Sequence, residues 1–186
     1  MPRLFVSVDL PPQFEPKVRD LQSHLRGTRA DLKFTKPEQA HLTMKFIGNT
    51  PEESLEDVAD VLDDAAETVE PFRVELGGTG VFPSREYVSV VWIGVREGVE
   101  ELTRLHDALE KHSVGRGLAD EAEHDYKPHV TLARMGSGRG KSEVLKFVDE
   151  NEDVTLGSFE TKKLRLKSSV LRDDGSVHDT VYEAEL

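Results

Sequence analysis

Two stretches of this 186-residue chain carry the same pattern, HLTMKFIG at residues 41–48 and KPHVTLAR at residues 127–134. Each contains His-x-Thr and, from the histidine on, alternates polar with apolar residues, which is typical of a strand with one buried face. Residues two apart in a strand share a face, so His41 projects with Thr43, and His129 projects with Thr131. In the first stretch, one face is predicted to carry His41, Thr43 and Lys45, and the other Leu42, Met44 and Phe46.

Elements of matching order surround the two stretches. Val-Ser-Val occurs at 6–8 and again at 88–90, which is 82 positions later, and His-x-Thr recurs after 88 positions. Each copy starts with a strand, continues with a helix and then reaches the His-x-Thr strand. Near-equal offsets indicate an internal duplication. We therefore expect residues 1–186 to form a single bilobal α+β domain. Its two interleaved repeat lobes would be pseudo-symmetric, with antiparallel sheet and flanking helices around a central cleft.

Hydrophobic periodicity and turn residues predict the remaining elements. Helices are predicted over about 12–27, 52–69, 98–113 and 141–150. Strands are predicted over about 3–9, 41–47, 72–82, 87–95, 129–134, 154–170 and 177–185, with a turn at Asp173-Asp174-Gly175. The polar segment 115–124 is predicted to be a loop.

Composition excludes several classes of protein. The chain has no cysteine, which excludes disulfides, thiolate nucleophiles and cysteine-ligated zinc. No apolar run approaches the ~20 residues that a membrane helix needs, and the first residues do not resemble a signal peptide. These features predict a cytoplasmic protein with no membrane partner, and a monomer is the expected state of a closed bilobal fold.

The charge of the chain is unusual for a nucleic-acid-binding protein. Asp and Glu number 36 against 24 Lys and Arg, for a net charge of −12, whereas proteins that grip long nucleic acids are usually basic. Three interpretations stay open. The partner is not a nucleic acid, or it is a short end held in a small pocket, or the acidic surface is an adaptation to high salt.

The two motifs place two imidazoles and two hydroxyls around one cleft, if the lobes are related by a pseudo-twofold axis. Histidine has an ordinary pKa near 6.5, so its neutral and charged forms are both available near neutrality. One imidazole can take a proton from water while the other gives a proton to a departing ribose oxygen, and each such transfer is typically worth ~10²–10⁴ in rate. Threonine hydroxyls can donate to the phosphate oxygens. A lone strand histidine is usually an ordinary surface residue, but its repetition in matching contexts favours a phosphodiesterase site.

These motifs and their flanks resemble the two-histidine (2H) phosphoesterase superfamily and, within it, the RNA 2′,3′-cyclic phosphodiesterase branch formerly described as 2′-5′ RNA ligases. The flanks that carry the resemblance are residues 3–11, 80–83, 41–48 and 127–134. The resemblance covers essentially the whole chain. It implies metal-independent hydrolysis of a terminal 2′,3′-cyclic phosphate to a 2′-phosphate, without a cofactor. The implied partners are RNA 3′ ends bearing a cyclic phosphate, tRNA fragments among them.

The resemblance also implies roles for individual residues. His41 would be the general acid on the 3′ oxygen, and His129 the general base on water. Thr43 and Thr131 would bind the phosphate, and Arg134 would contact the phosphate or stack on the terminal base. Three residues between the motifs are further candidates for a base-stacking platform: Phe82, Arg85 and Tyr87. The other histidines are interpreted as surface residues: His24, His106, His112, His124 and His178.

The same motifs are compatible with other functions. The same cleft could hydrolyse small cyclic nucleotides, join RNA ends as a 2′-5′ RNA ligase, or bind RNA ends without turnover. The glycine-rich segment 136–142 has three residues between Gly136 and Gly140, whereas a phosphate-cradling loop needs four. No metal site is predicted, because neither His-x-His nor His-x-x-x-His spacing joins His41 or His129 to another histidine.

Overall fold

Nine strands and four α-helices make up the computed structural model, which describes residues 1–186. The strands are β1 (Arg3–Asp9), β2 (Leu32–Phe34), β3 (His41–Asn49), β4 (Phe72–Pro83), β5 (Val88–Glu97), β6 (His129–Met135), β7 (Thr155–Thr161), β8 (Lys163–Arg172) and β9 (Gly175–Glu185). The helices are α1 (Glu15–Arg26), α2 (Leu55–Ala66), α3 (Val99–Gly115) and α4 (Lys141–Glu150). No helix has the length and apolar character required to cross a membrane.

All strands belong to one antiparallel sheet, in the order β7-β4-β5-β6-β3-β1-β8-β9, with β2 paired to β6. The two His-x-Thr strands, β3 and β6, are neighbours at the centre of the sheet. Their register pairs Leu42 with Val130. The predicted α+β class, with two antiparallel sheet halves and flanking helices, is confirmed.

Helices α1 and α3 are exchanged between the two halves of the sheet, so that each packs against the half that does not contain its own preceding strand. Helix α1 follows β1 in the chain yet contacts β6, whereas α3 follows β5 yet contacts β3. The helical spacing read from the sequence is confirmed in α1, which buries Val18, Leu21 and Leu25. Helices α1 and α3 therefore each support the His-x-Thr strand that belongs to the other copy of the sequence repeat.

Two sheet segments differ from the predicted elements. Strand β2 was not predicted, because three residues are too few to show an alternating pattern; it forms by pairing with β6. The predicted strand 154–170 is divided at Lys162 into β7 and β8. These two strands lie at different places in the sheet, which hydrophobic patterning along one continuous segment cannot reveal.

The predicted alternation along the first motif is wrong after Thr43. Val6 pairs with Lys45 and Ser7 with Thr43, which leaves Met44 as an extra residue in a β-bulge. The bulge turns both Met44 and Lys45 towards the core and brings Phe46 to the opposite face. Lys45 is accordingly 6% exposed and Phe46 63% exposed.

The second motif contains a bulge at the equivalent position. Val91 pairs with Ala133 and Trp92 with Thr131, so Leu132 is the extra residue. Leu132 and Ala133 are buried while Arg134 is exposed, which reproduces the burial pattern of the first motif. The bulges therefore place Phe46 and Arg134 at corresponding positions, each five residues after its histidine.

The ammonium group of Lys45 is buried with its partners. Its Nζ lies 2.6 Å from Glu110 Oε2 of α3 and donates a hydrogen bond of 2.6 Å to the Asp120 carbonyl. A buried charge is tolerated only when it is paired and hydrogen-bonded in this way. The pair ties β3 to α3 and to the loop that leads into β6.

We predict that Glu110→Leu will lower the free energy of unfolding by about 3 kcal/mol, because removal of one partner strands the buried ammonium, at a typical cost of ~3–5 kcal/mol. Urea denaturation checks this. Glu150→Leu is the matched control, since the Lys146–Glu150 pair is exposed and such pairs contribute about 0.5 kcal/mol or less. Equal losses in the two variants would contradict a special contribution from the buried pair.

Candidate active site

A cavity of about 540 Å³ lies over the two His-x-Thr strands. His41, Thr43, Thr131 and Arg134 line it, whereas His129, two residues before Thr131 on β6, is not among its lining residues. All five residues predicted for the site lie on the neighbouring strands β3 and β6, and four of them line the cavity.

The register of β3 and β6 sets the relation between the motifs. Because Leu42 pairs with Val130 in an antiparallel ladder, His41 lies opposite Thr131, and Thr43 lies opposite His129. The two histidines thus occupy diagonal positions, which in antiparallel sheets are ~7–8 Å apart. This separation allows a phosphate group to sit between the imidazoles.

Backbone carbonyls orient both imidazoles in the same way. His41 Nδ1 lies 2.7 Å from the Gln39 carbonyl, and His129 Nδ1 lies 2.8 Å from the Lys127 carbonyl. A carbonyl only accepts, so Nδ1 of each ring carries the hydrogen and donates it. Nε2 of each neutral ring is left as the acceptor that can exchange a proton with a substrate.

The environment lowers the pKa of both histidines. Burial is the main cause for His41, with the Gln39 carbonyl and the carboxylate of Asp9 acting in the opposite direction. Burial is also the main cause for His129, where the positive charge of Arg134 adds to it. Both rings are therefore biased towards the neutral form in the free protein.

The predicted phosphate ligands surround these rings. Thr43 Oγ1 lies 3.0 Å from His41 Nε2, and half-buried Thr131 lies beside it on β6. Arg134 lies close enough to lower the pKa of both histidines, and it takes part in none of the ion pairs of the structure. Its guanidinium is thus available to an anionic ligand.

Three residues of the cavity were missed by the sequence reasoning. Phe5 and Phe46 form an aromatic wall beside His41, with ring centroids 6.2 Å apart. His178, predicted to be a surface residue, lines the cavity from β9, and its ring lies 5.5 Å from that of His41. The position of a bulge and the return of β9 are long-range features, so no local signal could identify these residues.

The base-platform candidates lie outside the cavity lining. Phe82 packs edge-on against His129, with 4.8 Å between ring centroids, and so supports the imidazole ring. Arg85 forms a bidentate pair with Asp149. Tyr87 is exposed beside a second, smaller cavity.

Positive side chains surround the main cavity of this acidic protein. Arg3, Lys33, Lys36 and Arg134 contribute to the lining, against the single carboxylate of Asp174. Lys36 is paired with that carboxylate at 2.8 Å. A local excess of positive charge next to half-buried imidazoles is suited to an anion such as a phosphodiester.

In the glycine-rich segment 136–142, the basic side chains are bonded to backbone carbonyls. Lys141 Nζ donates to the Glu86 carbonyl at 2.9 Å, and Arg139 Nε donates to the Arg29 carbonyl at 2.9 Å. Elsewhere, no group of three or more histidine or carboxylate side chains is arranged to hold a metal ion.

Sequence comparisons relate the chain to one family. A sequence model of the 2′-5′ RNA ligase superfamily matches residues 10–165. A protein of Methanothermobacter thermautotrophicus named RNA 2′,3′-cyclic phosphodiesterase is 34% identical, over 95% of this chain and 94% of its own length. A protein of the same name from Aeropyrum pernix is 36% identical, over 91% of this chain and 93% of its own.

Solved structures show the same fold. A crystal structure from Thermus thermophilus is 29% identical, with a TM-score of 0.81 over 99% of this chain and 97% of that chain. LigT of Escherichia coli, solved with 3′-AMP, is 18% identical, with a TM-score of 0.76 over 100% of this chain and 98% of that chain.

We predict that His178 makes the protein less stable in mild acid. Burial, together with the charges of His41 and Lys167, lowers the pKa of His178 to about 4, whereas histidine in an unfolded chain titrates near 6.5. Between these values the unfolded state binds the extra proton, so the free energy of unfolding falls as pH drops from about 6.5 towards 4. In His178→Gln this fall should be shallower, as measured by urea denaturation at pH 7 and pH 5. Parallel curves for the two proteins would contradict the prediction.

Proposed function

Because the chain belongs to the 2′-5′ RNA ligase superfamily, we propose that it hydrolyses 2′,3′-cyclic phosphates at RNA ends to 2′-phosphates. The observation that carries the proposal is the paired site. Two half-buried imidazoles are held alike by backbone carbonyls, with two threonines and an unpaired arginine beside them. The relatives named RNA 2′,3′-cyclic phosphodiesterase support the substrate class.

The bulge residues supply the asymmetry that orients the substrate. Histidine and threonine recur on both strands, but the corresponding bulge positions carry Phe46 on β3 and Arg134 on β6. The terminal base stacks on the exposed ring of Phe46, since base–aromatic stacking is worth ~1–3 kcal/mol. The ribose then lies on the β3 side next to His41, and the phosphate charge lies towards Arg134.

This orientation assigns the two proton transfers. His129 Nε2 takes a proton from water, and the water oxygen attacks phosphorus. The bond from phosphorus to the 3′ oxygen breaks, and protonated His41 donates its Nε2 proton to that oxygen. The products are a 2′-phosphate and a free 3′ hydroxyl, and the transfers leave His41 neutral and His129 charged.

The neighbouring groups stabilise the charge of the transition state. Thr43 and Thr131 hydroxyls donate to the non-bridging oxygens, and Arg134 offsets the developing charge. The anionic substrate also raises the pKa of His41, which restores the proton that burial disfavours. Both proton transfers are assigned to side chains of β3 and β6, so we propose that the reaction is independent of a metal ion.

The remaining cations favour an RNA end over a small cyclic nucleotide. Lys33 pairs in register with Arg134 across β2 and β6, and both line the cavity. Lys33 takes part in none of the ion pairs of the structure, so a second anion can bind there. A terminal cyclic nucleotide carries one phosphate, whereas an oligomer carries another one nucleotide upstream. We propose that Lys33 contacts this upstream phosphate.

We predict that an oligoribonucleotide ending in a 2′,3′-cyclic phosphate is converted to a 2′-phosphate end with EDTA present. His41→Ala and His129→Ala should each lose about 10²–10⁴ in kcat, because each removes one positioned proton transfer. His24→Ala, on the exposed face of α1, is the matched control and should keep wild-type activity. Ion-exchange separation of the product ends measures all four proteins.

The pH dependence adds a mechanistic check. The profile of kcat/KM should be bell-shaped, with its optimum below pH 6.5, because burial lowers the pKa of both histidines. Activity falls on the alkaline side as His41 loses its proton, and on the acidic side as His129 gains one. Loss of activity in EDTA that returns with a divalent cation would overturn the metal-independent mechanism.

We predict that Lys33→Ala raises KM for an oligomer about tenfold, since a charge-assisted contact is worth about 1.5–3 kcal/mol at most and this lysine is exposed. KM for the matching 2′,3′-cyclic mononucleotide should not change. Steady-state assays with the two substrates provide the comparison. Lys146→Ala, on the exposed face of α4, is the control. Equal effects on both substrates would show that Lys33 does not reach an upstream phosphate.

A further inference from the structure

Each bulge carbonyl of the catalytic strands accepts a hydrogen bond from a buried polar side chain. Nδ1 of His106 lies 2.7 Å from the Met44 carbonyl, and Nε2 of Gln22 donates to the Leu132 carbonyl at 3.0 Å. Met44 and Leu132 are the extra residues of the two bulges. His106 lies on α3 and Gln22 on α1, so the two contacts are made from the two exchanged helices.

Both donors are buried to a degree unusual for polar residues, at 9% exposure for His106 and 0% for Gln22. His106 was predicted to be a surface residue, which is wrong. Burying such groups is costly unless each makes a specific hydrogen bond. The bulge carbonyl provides that bond in each half of the protein.

Additional interactions hold each of the two donor side chains in place. The His106 ring stacks on Tyr126, with centroids 4.2 Å apart and planes 7° from parallel. The Tyr126 hydroxyl in turn donates to the Thr43 carbonyl at 3.3 Å. On the other strand, Gln22 Nε2 also donates to the Thr35 carbonyl at 2.7 Å, which joins the end of β2 to β6.

We propose that His106 and Gln22 are positioning residues for the reaction, and this proposal rests on the proposed function. Each holds the bulge that turns the fifth residue after the histidine into the cleft. His106 thereby sets the position of Phe46 and the terminal base, and Gln22 sets the position of Arg134 and the phosphate. Neither residue lines the cavity, so both act through the backbone of β3 and β6.

The two positions give separable readouts. His106→Leu should lower kcat/KM about ten- to hundredfold, because displacements of ~1 Å cost up to ~10²-fold. It should also weaken the distinction between purine and pyrimidine cyclic phosphates, which stack to different extents on Phe46. Gln22→Leu should leave that distinction intact and instead reduce the slope of log KM against log salt by about 1, since one phosphate contact is loosened.

Rescue and control variants separate positioning from a general loss of stability. His106→Gln should recover most of the activity that His106→Leu loses. A glutamine amide can donate to a bulge carbonyl, as Gln22 does to the Leu132 carbonyl in the other half. Ser113→Ala, which removes another buried polar group of α3, should behave as wild type. Assays are run on full-length protein whose folded state at the assay temperature is checked by circular dichroism.

An activity-independent measurement completes the test. Amide hydrogen exchange at Lys45 and Ala133, the residues after the two bulges, should accelerate in His106→Leu and Gln22→Leu respectively. If wild type turns over no cyclic phosphate but exchange responds as expected, the proposed function fails while the bulge contacts stand. Unchanged exchange and kinetics in folded variants, or identical losses on both kinetic readouts, would overturn the positioning proposal.

Discussion

The pairing of Leu42 with Val130 is the constraint on which the site depends. It fixes the register of the two central strands, and therefore sets each histidine opposite the other strand's threonine. A shift of one residue would turn one motif towards the helices and the other towards the cleft. The strands outside this pair extend the sheet on both sides, and those on the β1 side supply a wall of the cleft, from Phe5 on β1 to His178 on β9.

The symmetry of the site is incomplete in a way that matters for chemistry. A phosphate group is nearly symmetric, and in the proposed function it lies between two equivalent histidine–threonine pairs. A nucleotide is not symmetric, and the two bulges present an aromatic ring on one side and a guanidinium on the other. Charge also distinguishes the cleft from the rest of the molecule. A protein of net charge −12 lines this cavity with four basic side chains and one carboxylate, which favours a short anionic end.

Much of this structure could be predicted from local pattern, and the remainder could not. The repeated His-x-Thr identified the two central strands, the order of elements around it indicated the α+β class, and helical spacing located α1 with its buried face. Alternation failed at Met44, because a bulge is a feature of the ladder between two strands and leaves no mark in one of them. Phe46, His106 and His178 were missed for the same reason. Their environments are made by β1, β3 and β9, which are distant in sequence.

The exchanged positions of α1 and α3 have a consequence for how this chain can be divided. Helix α1 of the first repeat supports the strand of the second, and α3 of the second repeat supports the strand of the first. Neither repeat alone holds a His-x-Thr strand together with the helix packed against it. A cut between the two repeats would therefore separate each of these strands from its helix, and the two fragments would have to reassociate to rebuild the site.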